Sequence, residues 1–218
     1  MTMPSAYAAI ARAMQWALAL CVLTFMPPAL AQTPAGGKTV LVMGDSLSAG
    51  YGLGPREGWV PLTAVKLSRE APGWTLVNAS VSGETSAGGA ARLGAQLQRV
   101  KPAVVVIELG ANDGLRGLPL AQTKANLDKM IRASQGAGAK VLVLGMRMPP
   151  NLGRDYTQGF ADTFSSLARQ YRTAFVPFFL EPIASDRANF QPDNLHPTAA
   201  AQPAIRDHVW PALAPLLK

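Results

Sequence analysis

The chain has 218 residues, of which 49% are hydrophobic and 15% charged, and this composition excludes an intrinsically disordered protein. The length is sufficient for one domain with a substantial core. The formal net charge is +7, but lysines and arginines are scattered without a run of three, so we expect a solvated basic surface and no nucleic-acid partner.

The first 31 residues are predicted to be a secretory signal peptide. Arg12 precedes an apolar run over residues 13–30, and Ala29-Leu30-Ala31 matches the small-x-small cleavage pattern. An uncleaved membrane anchor is the alternative, because the run approaches the roughly 18 residues that a membrane span needs. Pro27-Pro28 and the cleavage pattern favour removal. We therefore expect a periplasmic or secreted protein without stable membrane insertion.

Cysteine and histidine are scarce, which limits the chemistry available to the chain. Cys21 is the single cysteine and lies in the signal segment, so the mature chain can form no disulfide. His196 and His208 are the two histidines. Without a cluster of Cys and His residues we predict no metal site, and we expect no cofactor.

After a linker at residues 32–38, strand-like and helix-like segments alternate through a single domain at residues 39–218. Short apolar runs predict strands at 39–43, 74–79, 103–109, 140–146 and 174–179. Amphipathic segments predict helices at 59–70, 87–100, 120–135, 157–171 and 199–217. Pro177 lacks an N–H and restricts the fifth strand to a sheet edge or to a short length.

This alternation predicts an α/β fold with a parallel sheet and helices on both faces. In such folds the site lies beyond the carboxyl ends of the strands. Three strands are followed there by distinctive groups: Ser46 after the first, Gly83 after the second and Asn112 after the third. His196 lies in the loop before the last helix.

The turn Gly44-Asp45-Ser46 has three readings: an ordinary turn, a phosphate cradle or the support of a nucleophile. A P-loop requires a Gly-Lys-Ser/Thr ending, which is missing, and Ser48 replaces the second glycine of a GxSxG elbow. Taken alone, each of the loops that contain Ser46, Gly83, Asn112 and His196 is an ordinary turn. All four are expected at the same edge of the sheet, and their occurrence together favours a catalytic site. Asp45 is then expected to have a structural role in the turn.

A serine becomes a nucleophile when an oriented base removes its proton. Asp193 precedes His196 by three residues, and in a turn this spacing lets the carboxylate reach the imidazole. His208 has Asp207 beside it in a predicted helix, where neighbours point apart, so we expect it to have a packing role. The N–H groups of Ser46 and Gly83 and the amide of Asn112 are candidate donors to an oxyanion.

The motifs GDSLS, SGET, GAND and DNLHP, which contain Ser46, Gly83, Asn112 and His196, resemble the four blocks of the SGNH hydrolases, or GDSL lipase/esterase family. GDSLSAGYGL, NASVSGETS and LGANDGLRGL are similar to its branch of periplasmic acyl-CoA thioesterases, lysophospholipases and arylesterases. The resemblance implies a flavodoxin-like three-layer α/β/α sandwich with five parallel strands. It also implies a Ser46, Asp193 and His196 triad, the oxyanion donors named above, and a mobile substrate loop at residues 114–118.

We therefore predict a serine esterase that hydrolyses small-molecule acyl esters and thioesters through an acyl-enzyme, and we expect a monomer. A carbohydrate O-acetylesterase and a non-catalytic module that binds an anion or carbohydrate are the alternatives. An apolar acyl groove is predicted beside the site, unless its members are plain core residues. Its candidate residues are Leu115, Leu118, Met146, Met148, Pro149 and Leu152.

Overall fold

Five parallel strands form one sheet in the computed structural model, which describes residues 38–218. The strands are β1 (Lys38–Gly44), β2 (Trp74–Asn78), β3 (Val104–Glu108), β4 (Lys140–Leu144) and β5 (Ala174–Val176), in the spatial order β2-β1-β3-β4-β5. From β1, the chain adds β2 on one side and then β3, β4 and β5 on the other, so the connections run in opposite directions on the two sides of the boundary between β1 and β3. The carboxyl ends of these two strands therefore border the crevice where a site is expected.

The centre of the sheet is buried on both faces. Residues 40–43 of β1 and all of β3 are buried, which explains why their valine-rich runs show no alternation of polar and apolar residues. In the register of the sheet, Met43 pairs with Ile107 and Gly44 pairs with Glu108. The end of β1 therefore lies beside the one carboxylate of β3.

Within residues 38–218 seven α-helices accompany the sheet: α1 (Ser46–Ala49), α2 (Trp59–Glu70), α3 (Ser86–Val100), α4 (Ala111–Leu115), α5 (Leu120–Gly136), α6 (Arg154–Tyr171) and α7 (Gln202–Leu213). Helices α2 and α7 pack together, and α3, α5 and α6 form a second row. The two rows cover the two faces of the sheet, as predicted for a three-layer sandwich.

Helix α6 shows how the sequence pattern produces this packing. Phe160, Phe164 and Leu167 recur at intervals of four and three residues, so they lie on one face of the helix, and all three are buried. Phe160 and Phe164 meet edge to face with ring centroids 5.1 Å apart. Helix α6 begins at Arg154, three residues before the predicted start.

Several predicted boundaries were wrong at the carboxyl ends of the strands. We predicted that the fourth and fifth strands would reach residues 146 and 179, but β4 ends at Leu144 and β5 at Val176. The N–H of Gly145 still bonds the Val176 carbonyl, and the chain then enters buried loops. An apolar run does not distinguish a buried loop from a strand, because both exclude water.

The last predicted helix is also divided. Residues 199–217 form a 3₁₀ turn at Ala199–Ala201, then α7, then a second 3₁₀ turn at Ala214–Leu217. Strand β1 begins at Lys38, the last residue of the predicted linker. The predicted signal, residues 1–31, and the linker up to residue 37 lie outside the described residues. Between residues 38 and 218 no helix is both long and apolar enough to cross a membrane.

Candidate active site

The turn after β1 presents Ser46 at the carboxyl edge of the sheet. Ser46 is the first residue of α1, and the preceding Asp45 accepts a hydrogen bond from the Leu47 N–H at 3.0 Å, which caps this short helix. A Cβ on Gly44 would lie 2.6 Å from the Cβ of Ser48 and 2.7 Å from a Glu108 oxygen. Glycine therefore allows the strand to turn this tightly.

His196 reaches Ser46 from the loop before α7. Its Nε2 lies 2.9 Å from the Ser46 Oγ, and its Nδ1 lies 2.7 Å from the Asp193 Oδ2. A proton on Nδ1 donates to the carboxylate, which leaves Nε2 free to accept from the serine hydroxyl. The structure thus brings the three predicted catalytic residues into one hydrogen-bonded chain.

Asp193 is held by backbone donors as well as by the imidazole. The N–H groups of His196 and Leu195 donate to its Oδ1 at 3.0 and 2.9 Å. These two bonds, followed by that of the His196 ring, lower the pKa of Asp193 to about 2. Asn194 adopts a left-handed conformation with φ of 63°, which bends the loop so that residues three apart face each other. Asp193 therefore remains an anion at neutral pH.

His208 lies elsewhere, in α7, and its Nε2 is 3.0 Å from the Phe178 carbonyl oxygen. This contact agrees with the packing role expected from the sequence.

The three predicted oxyanion donors line one cavity beside Ser46. Gly83 has a φ of 78° in the loop after β2, a conformation that favours glycine. The Asn112 side chain donates to the Glu84 carbonyl at 3.0 Å and to the Asp45 Oδ2 at 3.1 Å. These bonds orient the amide at the cavity wall. A substrate oxygen would have to share or replace one of them.

The cavity has a volume of about 450 Å³, and most of its wall is apolar. Of the predicted groove residues, Leu115, Met146, Met148 and Pro149 line it, together with Leu180 and Phe190. Gly114 makes room for this wall, because a Cβ there would lie 2.3 Å from the Met148 sulfur.

Leu118 and Leu152 were predicted for the groove but are not among its lining residues. The Leu118 carbonyl accepts a hydrogen bond from the Tyr156 hydroxyl at 2.9 Å, so this part of the loop is fixed against α6. Leu152 packs against the hydrophobic core. Sequence separation alone could not show that the loop turns away from the cavity after Leu115.

Residues 42–203 match the GDSL-like Lipase/Acylhydrolase family. The chain belongs to this family. It is 50% identical over 183 residues to the esterase TesA of Pseudomonas aeruginosa, covering 84% of this chain and 91% of that protein. It is 38% identical over 183 residues to the thioesterase 1/protease 1/lysophospholipase L1 of Escherichia coli K12, covering 84% and 86%. A crystal structure of TesA superimposes with a TM-score of 0.80 at 50% identity, covering 82% of this chain and 99% of the other.

These matches confirm the predicted family and its α/β sandwich. Within this GDSL-family chain, sequence reasoning missed the Tyr51 ring, which lies 4.5 Å from the His196 ring between centroids. It also missed Arg147 at the cavity wall. Tyr51 stands five residues after the candidate nucleophile, so its position in the same loop was the available signal.

Sequence reasoning also missed a buried carboxylate beneath the serine turn of this acylhydrolase. Glu108, at the end of β3, accepts hydrogen bonds from the Ser48 hydroxyl at 2.6 Å and from the Asp45 N–H at 3.3 Å. The Trp59 indole donates to the same hydroxyl at 3.2 Å. Burial, and then the charge of Asp45, raise the pKa of Glu108 well above its ordinary range. Glu108 thus connects β3 to the turn that carries Ser46.

Asp45 is itself buried and has the structural role that we expected. Burial raises its pKa to about 6, although the Leu47 N–H and the His196 charge act in the opposite direction. Its two oxygens contact Leu47 and Asn112, so one side chain connects the nucleophile turn to the candidate oxyanion donor.

Proposed function

We propose that the protein is a serine hydrolase that cleaves carboxylic acyl esters and thioesters through an acyl-enzyme. The predicted enzyme class, a carboxylic ester hydrolase, is confirmed by the family and by relatives named esterase and thioesterase. The observation that carries the assignment of roles is the hydrogen-bonded chain from Asp193 through His196 to Ser46 at an apolar cavity.

In the first half-reaction Ser46 Oγ attacks the substrate carbonyl carbon while His196 Nε2 accepts its proton. Asp193 stabilises the imidazolium that results. The negative charge on the carbonyl oxygen is stabilised by the N–H groups of Ser46 and Gly83 and by the Asn112 amide. His196 then gives its proton to the departing alkoxide or thiolate, and the acyl group remains on Ser46.

In the second half-reaction water replaces the alcohol or thiol. His196 accepts a proton from the water, whose oxygen attacks the acyl carbon, and a second tetrahedral intermediate forms at the same donors. Collapse of this intermediate returns the proton to Ser46 Oγ and releases the carboxylic acid. The serine hydroxyl is thereby restored.

The cavity wall favours an acyl chain over a carbohydrate as its occupant. Sugar hydroxyls need several polar partners, whereas most of the surface of this wall is apolar, with Leu, Met, Pro and Phe side chains contributing to it. The alkyl part of an ester or thioester would gain from burial there. We propose that the enzyme acts as a monomer in the periplasm, after removal of residues 1–31.

The test of the nucleophile is Ser46→Ala, assayed with p-nitrophenyl esters and with acyl-CoAs. We expect kcat/KM to fall at least about thousandfold, because the acyl-enzyme can no longer form. Ser82→Ala is the matched control, since Ser82 lines the same cavity. A fluorophosphonate probe should label Ser46 and leave Ser48 unmodified. Activity of Ser46→Ala within tenfold of the wild-type value would refute the assignment.

A further inference from the structure

Exposed apolar side chains are concentrated around the entrance of the catalytic cavity. Among residues 38–218, the large hydrophobic side chains that stay exposed are Tyr51, Val65, Val81, Leu115 and Leu195, at 45–54%. Tyr51, Leu115 and Leu195 line the cavity, and Val81 adjoins the lining residues Ser82 and Gly83. Exposed apolar clusters of this kind mark interaction sites on soluble proteins.

These four residues come from four different segments at the carboxyl edge of the sheet: three loops and the end of α4, where Leu115 lies. Hydrogen bonds join these segments in two pairs: the Gln191 side chain donates to the Tyr51 carbonyl at 2.9 Å, and the Arg116 guanidinium donates to the Gly83 carbonyl at 3.1 Å. Both pairs border the same cavity, so the four side chains surround one entrance. We refer to Tyr51, Val81, Leu115 and Leu195, with the arginines described next, as the mouth surface.

Three exposed arginines accompany this rim, and in the described part of the chain none of them pairs with a carboxylate. Arg116 bonds a carbonyl, as noted. Arg147 lies over the Phe178 ring at 5.1 Å. Arg187 donates to the carbonyls of Phe190 and Pro192. Because all these partners are uncharged, the positive charges of the mouth surface are not neutralised.

We infer that the mouth surface docks on an anionic phospholipid surface. The apolar rim would enter the boundary between headgroups and acyl chains, while the arginines contact lipid phosphates. The cavity would then open directly toward lipid, so that an acyl chain could pass into it without crossing water. Docking breaks no bond, and the inference therefore stands independently of the assignment of Ser46.

Charge favours a lipid surface over a second copy of the chain. In a two-fold dimer formed through the mouth surface, the unpaired arginines of both copies would face each other. The formal net charge of +7 loses one unit and becomes +6 when Arg12 is removed with residues 1–31, and this positive charge adds to that repulsion and attracts the chain to anionic headgroups.

The test is a sedimentation assay in which the protein is mixed with phosphatidylglycerol/phosphatidylcholine vesicles. The Ser46→Ala variant is used because it cannot hydrolyse lipid by the proposed route. We expect binding to these vesicles and weak binding to pure phosphatidylcholine. Arg116→Gln and Arg147→Gln should each lower the partition constant about fivefold. Arg69→Gln, an exposed site on α2, should leave it unchanged.

The chain also provides a matched apolar control. Val81 and Val65 are 49% and 50% exposed, but Val65 lies on α2 beside Lys66 and Arg69, in a separate depression. Val81→Ser should weaken vesicle binding roughly threefold, and Val65→Ser should not. Thermal unfolding of each variant checks that the fold is retained.

Three results would overturn the inference. The first is that Val81→Ser and Val65→Ser weaken vesicle binding equally. The second is that the protein binds equally well to vesicles with and without phosphatidylglycerol. The third is that light scattering detects dimers of the chain and that Val81→Ser dissociates them. Continued hydrolysis by Ser46→Ala would contradict the proposed nucleophile while leaving the vesicle result unaffected, so the two failures can be distinguished.

Discussion

At the residue scale, the candidate site depends on one carboxylate that serves both structure and chemistry. Asp193 stabilises the bend of its loop through two backbone N–H groups and orients the base through its second oxygen. The Asp193 side chain keeps this hydrogen bond to His196 although it is 38% exposed. The backbone donors explain it, because they hold the carboxylate in place independently of the histidine.

The lowered pKa of Asp193 leads to a prediction about stability. Because the folded pKa lies below the ordinary 3.8, Asp193 stabilises the fold above about pH 4, and this contribution disappears as the pH falls through 2. A fully shielded group would contribute between about 2 and 3 kcal/mol, and solvent screening reduces this to about 1 kcal/mol. Asp193→Asn should lose that amount at pH 7.

The measurement is the free energy of unfolding of the wild type and of Asp193→Asn by denaturant titration between pH 7 and pH 3. The asparagine Oδ1 can still accept the two backbone N–H groups, so the bonds that bend the loop are kept while the charge and the acceptor for the His196 Nδ1–H are removed. We expect the difference to shrink by about half at pH 3. A difference that stays constant over this range would show that the charge of Asp193 does not stabilise the fold.

At the scale of elements, the segment after β3 has two functions that the sequence did not separate. Its first part, α4, holds Asn112 and places Leu115 at the cavity, whereas the Leu118 carbonyl is bonded to α6. The Asp113 carboxylate anchors the segment, because it accepts hydrogen bonds from the Ser86 N–H at 2.8 Å and from the Thr123 hydroxyl at 3.2 Å. One short helix is therefore tied to both α3 and α5.

This division predicts different effects of two leucine substitutions on acyl selection. Each methylene buried in the cavity contributes up to ~0.8 kcal/mol, which is nearly fourfold in kcat/KM. Leu115→Ala should reduce the increase of kcat/KM with acyl chain length while sparing acetyl esters. Leu118→Ala should leave that slope unchanged. The measurement is kcat/KM for p-nitrophenyl esters of increasing acyl chain length. If log kcat/KM rises equally steeply with chain length in Leu115→Ala and in the wild type, the proposed role of Leu115 is contradicted.

At the scale of the whole molecule, the domain at residues 38–218 contains no disulfide, because the single cysteine of the sequence is Cys21. No helix in these residues is long and apolar enough to cross a membrane. The stability of the domain rests on a core that continues through the sheet into both rows of helices. A core of this size can hold a domain of about 180 residues without cross-links.

The predicted signal leads to an expectation about the mature protein. Arg12, the apolar run and Ala29-Leu30-Ala31 predict cleavage before Gln32. N-terminal sequencing of protein expressed with residues 1–31 should therefore begin at Gln32, in the soluble periplasmic fraction. Recovery of residues before Ala29 from the membrane fraction would support an anchor instead.

The sequence alone determined the alternation of strands and helices, the parallel sheet, and the loops that carry Ser46, Gly83, Asn112 and His196. These features depend on local periodicity and on the rule that parallel strands end at one edge, so they can be read along the chain. The three-residue spacing of Asp193 and His196 was also sufficient to predict their contact.

Only the tertiary structure decided what surrounds these residues. Glu108 beneath Ser48, Tyr51 beside His196, and the departure of Leu118 from the cavity depend on contacts between segments far apart in sequence. Local pattern carries no information about which apolar residue faces a cavity and which faces a neighbouring helix, because both environments exclude water. Packing of one element against another makes that choice.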